Sequence, residues 1–322
     1  MVFAYDAYVA AALFVKEGAA FALGDGTVRF ETGESVQAHD GAVLSAVAHP
    51  SGSGVITGGD DGLLMWSRPN GSQVVADLKG KWIDAVDASP ATGLIAFAAG
   101  RELHVRDTAD AAFARAFKHE QSIAAVAFDP KGRRLAAATY GGAALWYARI
   151  ADQKPQMLKW AGSHVGLAWS PDGKFLISSM QEAALHGWRI ADGKDMRMGG
   201  YPTKVKSLAF LGGGMMLATS GAQGAVIWPF GGANGPMGKQ AAEIGYDQSA
   251  VVTRIAAPPA GKLVAAGLDD GRVWTAVLEG RGLGHIKSEK GAPITALAIS
   301  ADGARLAWGD EEGGAGVAAV PA

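Results

Sequence analysis

Gly54-Val-Ile-Thr-Gly-Gly-Asp-Asp-Gly-Leu-Leu-Met-Trp66 is the stretch that decides the fold. It holds a short apolar strand, a turn and a second apolar strand ending on tryptophan. Asp61-Gly62 at the turn suits the positive φ that a tight hairpin needs. The same plan recurs at Arg134–Trp146, Phe175–Trp188, Met215–Trp228 and Lys262–Trp274. Trp66 to Trp146 is 80 residues, two periods of 40, and the later gaps are 42, 40 and 46. Self-similarity at such a period marks a repeat architecture.

Weaker hairpins fill the remaining phases at Ala19–Phe30, Leu94–Val105 and Leu306–Val317. Before each hairpin runs another apolar strand, usually closed by proline, as in Val43–Pro50, Ile83–Pro90, Ile123–Pro130 and Val252–Pro259. After it comes a more polar one, as in Gln73–Leu78 and Ala112–Lys118. Four antiparallel strands about every 40 residues is the plan of a propeller blade. The expected fold is therefore all-β: a closed β-propeller of four-stranded antiparallel blades. Eight hairpins predict eight blades, with seven as the alternative if the first or third repeat is not a blade. The last repeat stops at a third strand, Val317–Val320, which would leave a free edge. Val2–Tyr5 is an apolar stretch with no hairpin of its own. A single domain over residues 1–322 is expected, with an N-terminal strand at about 2–6 closing the last blade.

Composition narrows the function classes. Net charge is −2, from 29 basic and 31 acidic residues, and no basic tract occurs, so no nucleic-acid partner is expected. Cysteine is absent, which excludes disulfides, thiolate metal sites and cysteine nucleophiles. No Lys or Arg precedes Lys16, and the longest early apolar run, Val9–Val15, is far short of a membrane span of roughly 20 residues. A cytoplasmic protein without membrane insertion is the expectation.

Through these repeats the chain resembles the WD-repeat proteins. Ser170-Pro-Asp-Gly173, Asp60-Asp-Gly62, Asp269-Asp-Gly271 and Trp188-Arg-Ile-Ala-Asp-Gly193 carry the likeness, which extends over nearly the whole length. The repeats are degenerate: no tryptophan is followed by aspartate, and most lack the opening histidine. The resemblance implies an internal hydrogen-bond set in two repeats. His39, Thr57, Asp61 and Trp66 would form one, and His119, Thr139 and Trp146 a second without the acid. In the family the acid orients the histidine, the histidine meets the hydroxyl, and the hydroxyl meets the indole. Such a set satisfies polar groups that a blade buries. A catalytic triad is rejected, because the hydroxyl sits on a packed strand.

Other histidines fall at no metal-ligand spacing, and no metal or cofactor is expected. The acids at the hairpin turns, Asp25, Asp60, Asp61, Asp269 and Asp270 among them, are read as ordinary turn residues. Aromatics beside lysine where strands begin are the candidate partner-binding residues: Trp82 with Lys81, Trp160, and Tyr201 with Lys204. Large aromatics flanked by cations typify interface anchors. Phe230–Gly238 is the longest glycine run, expected as a loop. The leading functional reading is a non-catalytic scaffold that recruits one or more proteins through its loop-covered faces. The alternative is a small-ligand binder or metal-dependent enzyme using a central channel, where the inner strands offer Asp84, Asp87, Lys206 and Arg254 singly.

Overall fold

Strand after strand carries an unbroken apolar run, as in Leu94-Ile-Ala-Phe-Ala-Ala99 and Phe175-Leu-Ile-Ser-Ser-Met180, and every residue in both is buried. A strand covered on one face alternates, whereas these must be covered on both, as when sheets stack face to face. The outer strand Ala114–Lys118 alternates instead, with only Phe117 buried. In the computed structural model, residues 1–280 and 282–321 are described. They form strands throughout, apart from one 3-10 turn at Gly212–Gly214. Contacts divide the chain into two compact units, residues 15–169 and residues 1–14 with 170–322.

The unit 15–169 opens with the hairpin Gly18–Leu23 and Thr27–Phe30, followed by Ser35–Gln37. Its next sheet runs in order through Val43–Ala48, Val55–Gly59, Leu63–Arg68 and Gly71–Asp77. Another follows through Ala85–Ser89, Leu94–Ala99, Glu102–Asp107 and Ala114–Lys118. The unit ends with Ala125–Phe128, the hairpin Arg134–Tyr147 and the long strand Gln156–Trp169. Between the last two repeats the core gathers Leu94, Ala96, Leu103, Phe117, Leu135 and Trp146, with Phe117 stacked on Trp146 at 4.5 Å.

The other unit repeats the plan. One sheet holds Leu208–Leu211, Met216–Thr219, Ala225–Pro229 and Ala242–Ile244. The next holds Val252–Ala256, Leu263–Leu268, Val273–Val277 and Gly284–Lys287. In the last sheet, Ile294–Ile299, Arg305–Asp310 and Gly314–Ala319 are joined by Val2–Ala4. The register sets Val2 opposite Gly316 and Ala4 opposite Gly314. Met1 adds two bonds, its amino group donating to Val317 O at 2.7 Å and its carbonyl accepting from Val317 N at 2.9 Å.

The described strands make seven hydrogen-bonded sheets, six of four strands and one of six. Seven is the alternative number, and the leading expectation of eight separate blades is corrected. All eight hairpins marked by the sequence are present, so the difference arises elsewhere. The fourth repeat's hairpin turns at Gly141 and Gly142 without a break in strand structure, and is one element, Arg134–Tyr147. The next strand runs 14 residues from Gln156 to Trp169 and bends at Gly162, whose φ is 124°. The sequence divides that stretch into an outer strand and the inner strand of the following repeat. No turn separates them, so one strand stands where two were expected.

Neighbouring repeats are keyed by size. A Cβ on Gly58 would collide with Ile83, one on Gly267 with Ile294, and one on Gly309 with Val9. Each glycine thus leaves a seat for the β-branched residue that begins the next inner strand, and Ile83, Ile294 and Val9 are essentially fully buried there.

Removing residues 1–7 would strip the last sheet of its fourth strand and expose the edge of Gly314–Ala319. At about 1 kcal/mol per lost hydrogen bond and about 2 °C per kcal/mol in a chain this long, the melting temperature should fall by on the order of 10 °C. Differential scanning calorimetry of the truncated chain checks this, and an unchanged melting curve would contradict it.

Candidate functional site

In the second repeat, His39 is buried with both ring nitrogens in use. Nδ1 meets Asp61 Oδ1 at 3.0 Å and Nε2 meets Thr57 Oγ1 at 2.8 Å. Asp61 also accepts from Leu63 N at 3.0 Å, capping its own turn, where Gly62 supplies a φ of 85°. Trp66 stands apart from this chain, because its indole donates to Ser53 O at 2.9 Å. In the fourth repeat Trp146 donates straight to His119 Nε2 at 3.2 Å. Thr139 lies outside that bond and reaches Tyr140 O at 3.2 Å. The four-residue set implied for the second repeat and the three-residue set implied for the fourth are thus each shortened. Desolvation pulls His119 down to about 4, which keeps its ring neutral and its Nε2 free to accept.

A third set has no histidine. Tyr201 is buried, its hydroxyl 2.7 Å from Thr219 Oγ1, and Trp228 donates to that hydroxyl at 2.6 Å. Tyr201 stands 27 residues before Trp228, as His39 stands before Trp66 and His119 before Trp146. That spacing is present in the sequence, although Tyr201 beside Lys204 reads there as a candidate partner-binding aromatic. Burial pushes the Tyr201 phenol up to about 12, so it remains a donor. It offers no surface to a partner.

The remaining partner-binding candidates separate. Trp160 lies half-buried within the strand Gln156–Trp169, and its carbonyl accepts from His164 Nε2 at 3.1 Å. Lys204 reaches Gln181. Trp82 is different: it is 64% exposed, directly before the fully buried Ile83. Trp82 and Lys81 line one depression of about 450 Å³ with Asp84, Arg101, Glu102 and Ser122. Lys81 Nζ sits 2.7 Å from Glu102 Oε2 at its rim. Trp160, Tyr201 and Lys204 do not line it.

The charged residues of the inner strands serve the fold. Asp87 Oδ2 accepts from Phe128 N at 2.7 Å, across to the next repeat. Arg254 donates to the carbonyls of Thr295 at 2.5 Å and Thr253 at 3.1 Å. The turn acids are also occupied, Asp60 by Ala42 N at 2.9 Å and Asp269 by Val251 N at 2.8 Å. Among the described residues, no three His, Cys, Asp or Glu side chains are grouped so as to hold a metal ion. No helix among them is long and apolar enough to cross a membrane.

Residues 31–67, which contain the His39–Asp61–Thr57 set, match the family model described as WD domain, G-beta repeat. The chain carries a WD repeat. The match covers this one repeat, a kind typical of protein-interaction scaffolds. The computationally designed Ika8 protein, solved as a crystal structure, is similar in fold. It aligns over 98% of both chains with a TM-score of 0.77 and 19% identity. No curated protein matches the chain in sequence.

Asp87 carries a pH signature. Desolvation pushes its carboxyl up to about 6 from 3.8. A raised acid disfavours the folded state above pH 6, and the cost is relieved as pH falls from about 6 towards 3.8. Asp87→Asn keeps an oxygen for Phe128 N and removes the charge. It should stabilise the chain at neutral pH by about 1–2 kcal/mol, discounted for a half-buried group, and give no gain below pH 4. Urea unfolding across that range reads both ends. Tyr201→Phe tests the third set: losing both hydroxyl bonds should cost about 1–3 kcal/mol, again by urea unfolding.

Proposed function

We propose that the chain is a non-catalytic scaffold that holds partner proteins, and that the Trp82 depression is a docking point. The observation that carries this is an indole standing 64% in water directly before a fully buried residue, in the approach to the strand Ala85–Ser89. An exposed tryptophan forgoes a large burial term, and tryptophan is among the residues that contribute most at protein interfaces. The surroundings suit that role. Ile83 fixes the backbone beneath Trp82, so docking costs little ordering. Lys81 and Glu102 supply a paired polar rim, with Arg101 and Asp84 beside it. Two of the inner-strand charges that could have served catalysis, Asp87 and Arg254, are bonded to main chain.

Affinity purification of the tagged chain from its native cell, with quantitative mass spectrometry, tests the proposal. Trp82→Ala should reduce recovery of at least one stable partner about tenfold, the effect of losing roughly 1.4 kcal/mol of binding energy. Its melting temperature should not change, since the side chain packs mainly against solvent. Identical partner sets and amounts from both proteins would overturn the assignment.

A further inference from the structure

A second cleft in the unit 15–169 lies at the opposite ends of the strands from Trp82. Its walls are Trp66, Val74, Ile95 and Phe113, its polar lining includes His49 and Arg106, and it encloses about 210 Å³. The charge here is unbalanced. Asp107 is the carboxylate that lines the cleft, and it is already held by Arg149 Nη2 at 2.6 Å and Ala109 N at 2.9 Å. Arg106 bonds only the Val105 carbonyl, at 3.0 Å, and no carboxylate among the described residues pairs with it. Arg68 stacks 4.1 Å from the Trp66 ring, and its buried Nε has no acceptor.

His49 adds a further donor. Its ring stacks on Trp66 at 4.2 Å, and its Nδ1 accepts from Ser51 N at 3.2 Å. The ring proton therefore sits on Nε2, which bonds no described residue. Burial and the neighbouring Arg68 hold its pKa below the ordinary histidine value, so the ring is neutral. The Arg106 guanidinium, which has no carboxylate partner, and an imidazole N–H thus line an aromatic-walled space whose acid is spent. A half-buried cation without a partner is costly, and an incoming carboxylate would compensate it with charge-assisted bonds.

We propose that this cleft binds an acidic segment of a partner protein, a carboxylate meeting Arg106 while an adjacent apolar side chain packs between Trp66 and Phe113. The protein nature of the partner rests on the scaffold reading above; the carboxylate rests on the cleft itself. Fluorescence anisotropy on the full chain tests it, with fluorescein-labelled Gly-Ser-Glu-Leu-Phe-Glu-Gly-Ser and the counterpart carrying Gln for Glu. The acidic peptide should bind, more weakly as salt is raised. The Gln counterpart and Arg106→Gln should each bind about tenfold more weakly, while Trp82→Ala should leave peptide binding unchanged. Should Arg106→Gln lower the melting temperature, Phe113→Ala decides, with a comparable loss expected. Equal binding by the Gln counterpart or by these cleft variants, or no binding of the acidic peptide, overturns the proposal. Those outcomes leave the scaffold reading standing, because that reading fails only on the Trp82→Ala purification.

Discussion

The structure depends on how each inner strand is fastened to the next. Strands within a sheet satisfy one another, but nothing in a ladder joins one sheet to its neighbour. Here polar side chains reach across. Ser45 donates to Ile83 O at 3.3 Å, Thr253 to Ile294 O at 2.7 Å and Thr295 to Val9 O at 2.7 Å. Ser207 both donates to Ile255 O and accepts from Ile255 N, and Asp87 accepts from Phe128 N. The glycine seats at 58, 267 and 309 sit beside these clips and receive the first apolar residue of the next strand. Shape and hydrogen bonding therefore fix the same register, which is how a chain avoids competing arrangements.

That fastening was only partly legible in the sequence. The hairpins were, because Asp-Gly and Gly-Gly turns between apolar runs have a local cause. The pairing partner of Val2–Tyr5 could be named because the last repeat lacked an outer strand. The clips could not be read: Ser45, Ser207, Thr253 and Thr295 are ordinary residues whose role depends on a strand 38 to 48 residues away or, for Thr295, at the other end of the chain. The number of sheets failed for a related reason. The repeat plan calls for two separate strands there, yet the backbone bends at Gly162 and continues in extended form.

At the candidate site the structure exposes Trp82 and buries Tyr201, although both are aromatics near lysine. The difference is one of phase. Tyr201 occupies the slot that histidine holds in other repeats, 27 residues before a tryptophan, and is drawn inwards by Thr219 and Trp228. Trp82 has no such counterpart and stays outside. The cleft around Arg106 escaped notice altogether, because an arginine lacking a carboxylate cannot be recognised until every neighbouring acid is seen to be taken. Rigid repeats make both surfaces usable, since their positions are set by packing and need not be ordered on binding.

Native-state hydrogen exchange of Phe128 and Ile255 tests the fastening most directly. Both amides are held by a side chain of the preceding repeat, Asp87 for one and Ser207 for the other. If these clips fix the register, the two amides exchange only through large-scale opening, as slowly as those of the buried strand Leu94–Ala99. Exchange as fast as that of the hairpin turns would show that neighbouring repeats are joined in some other way.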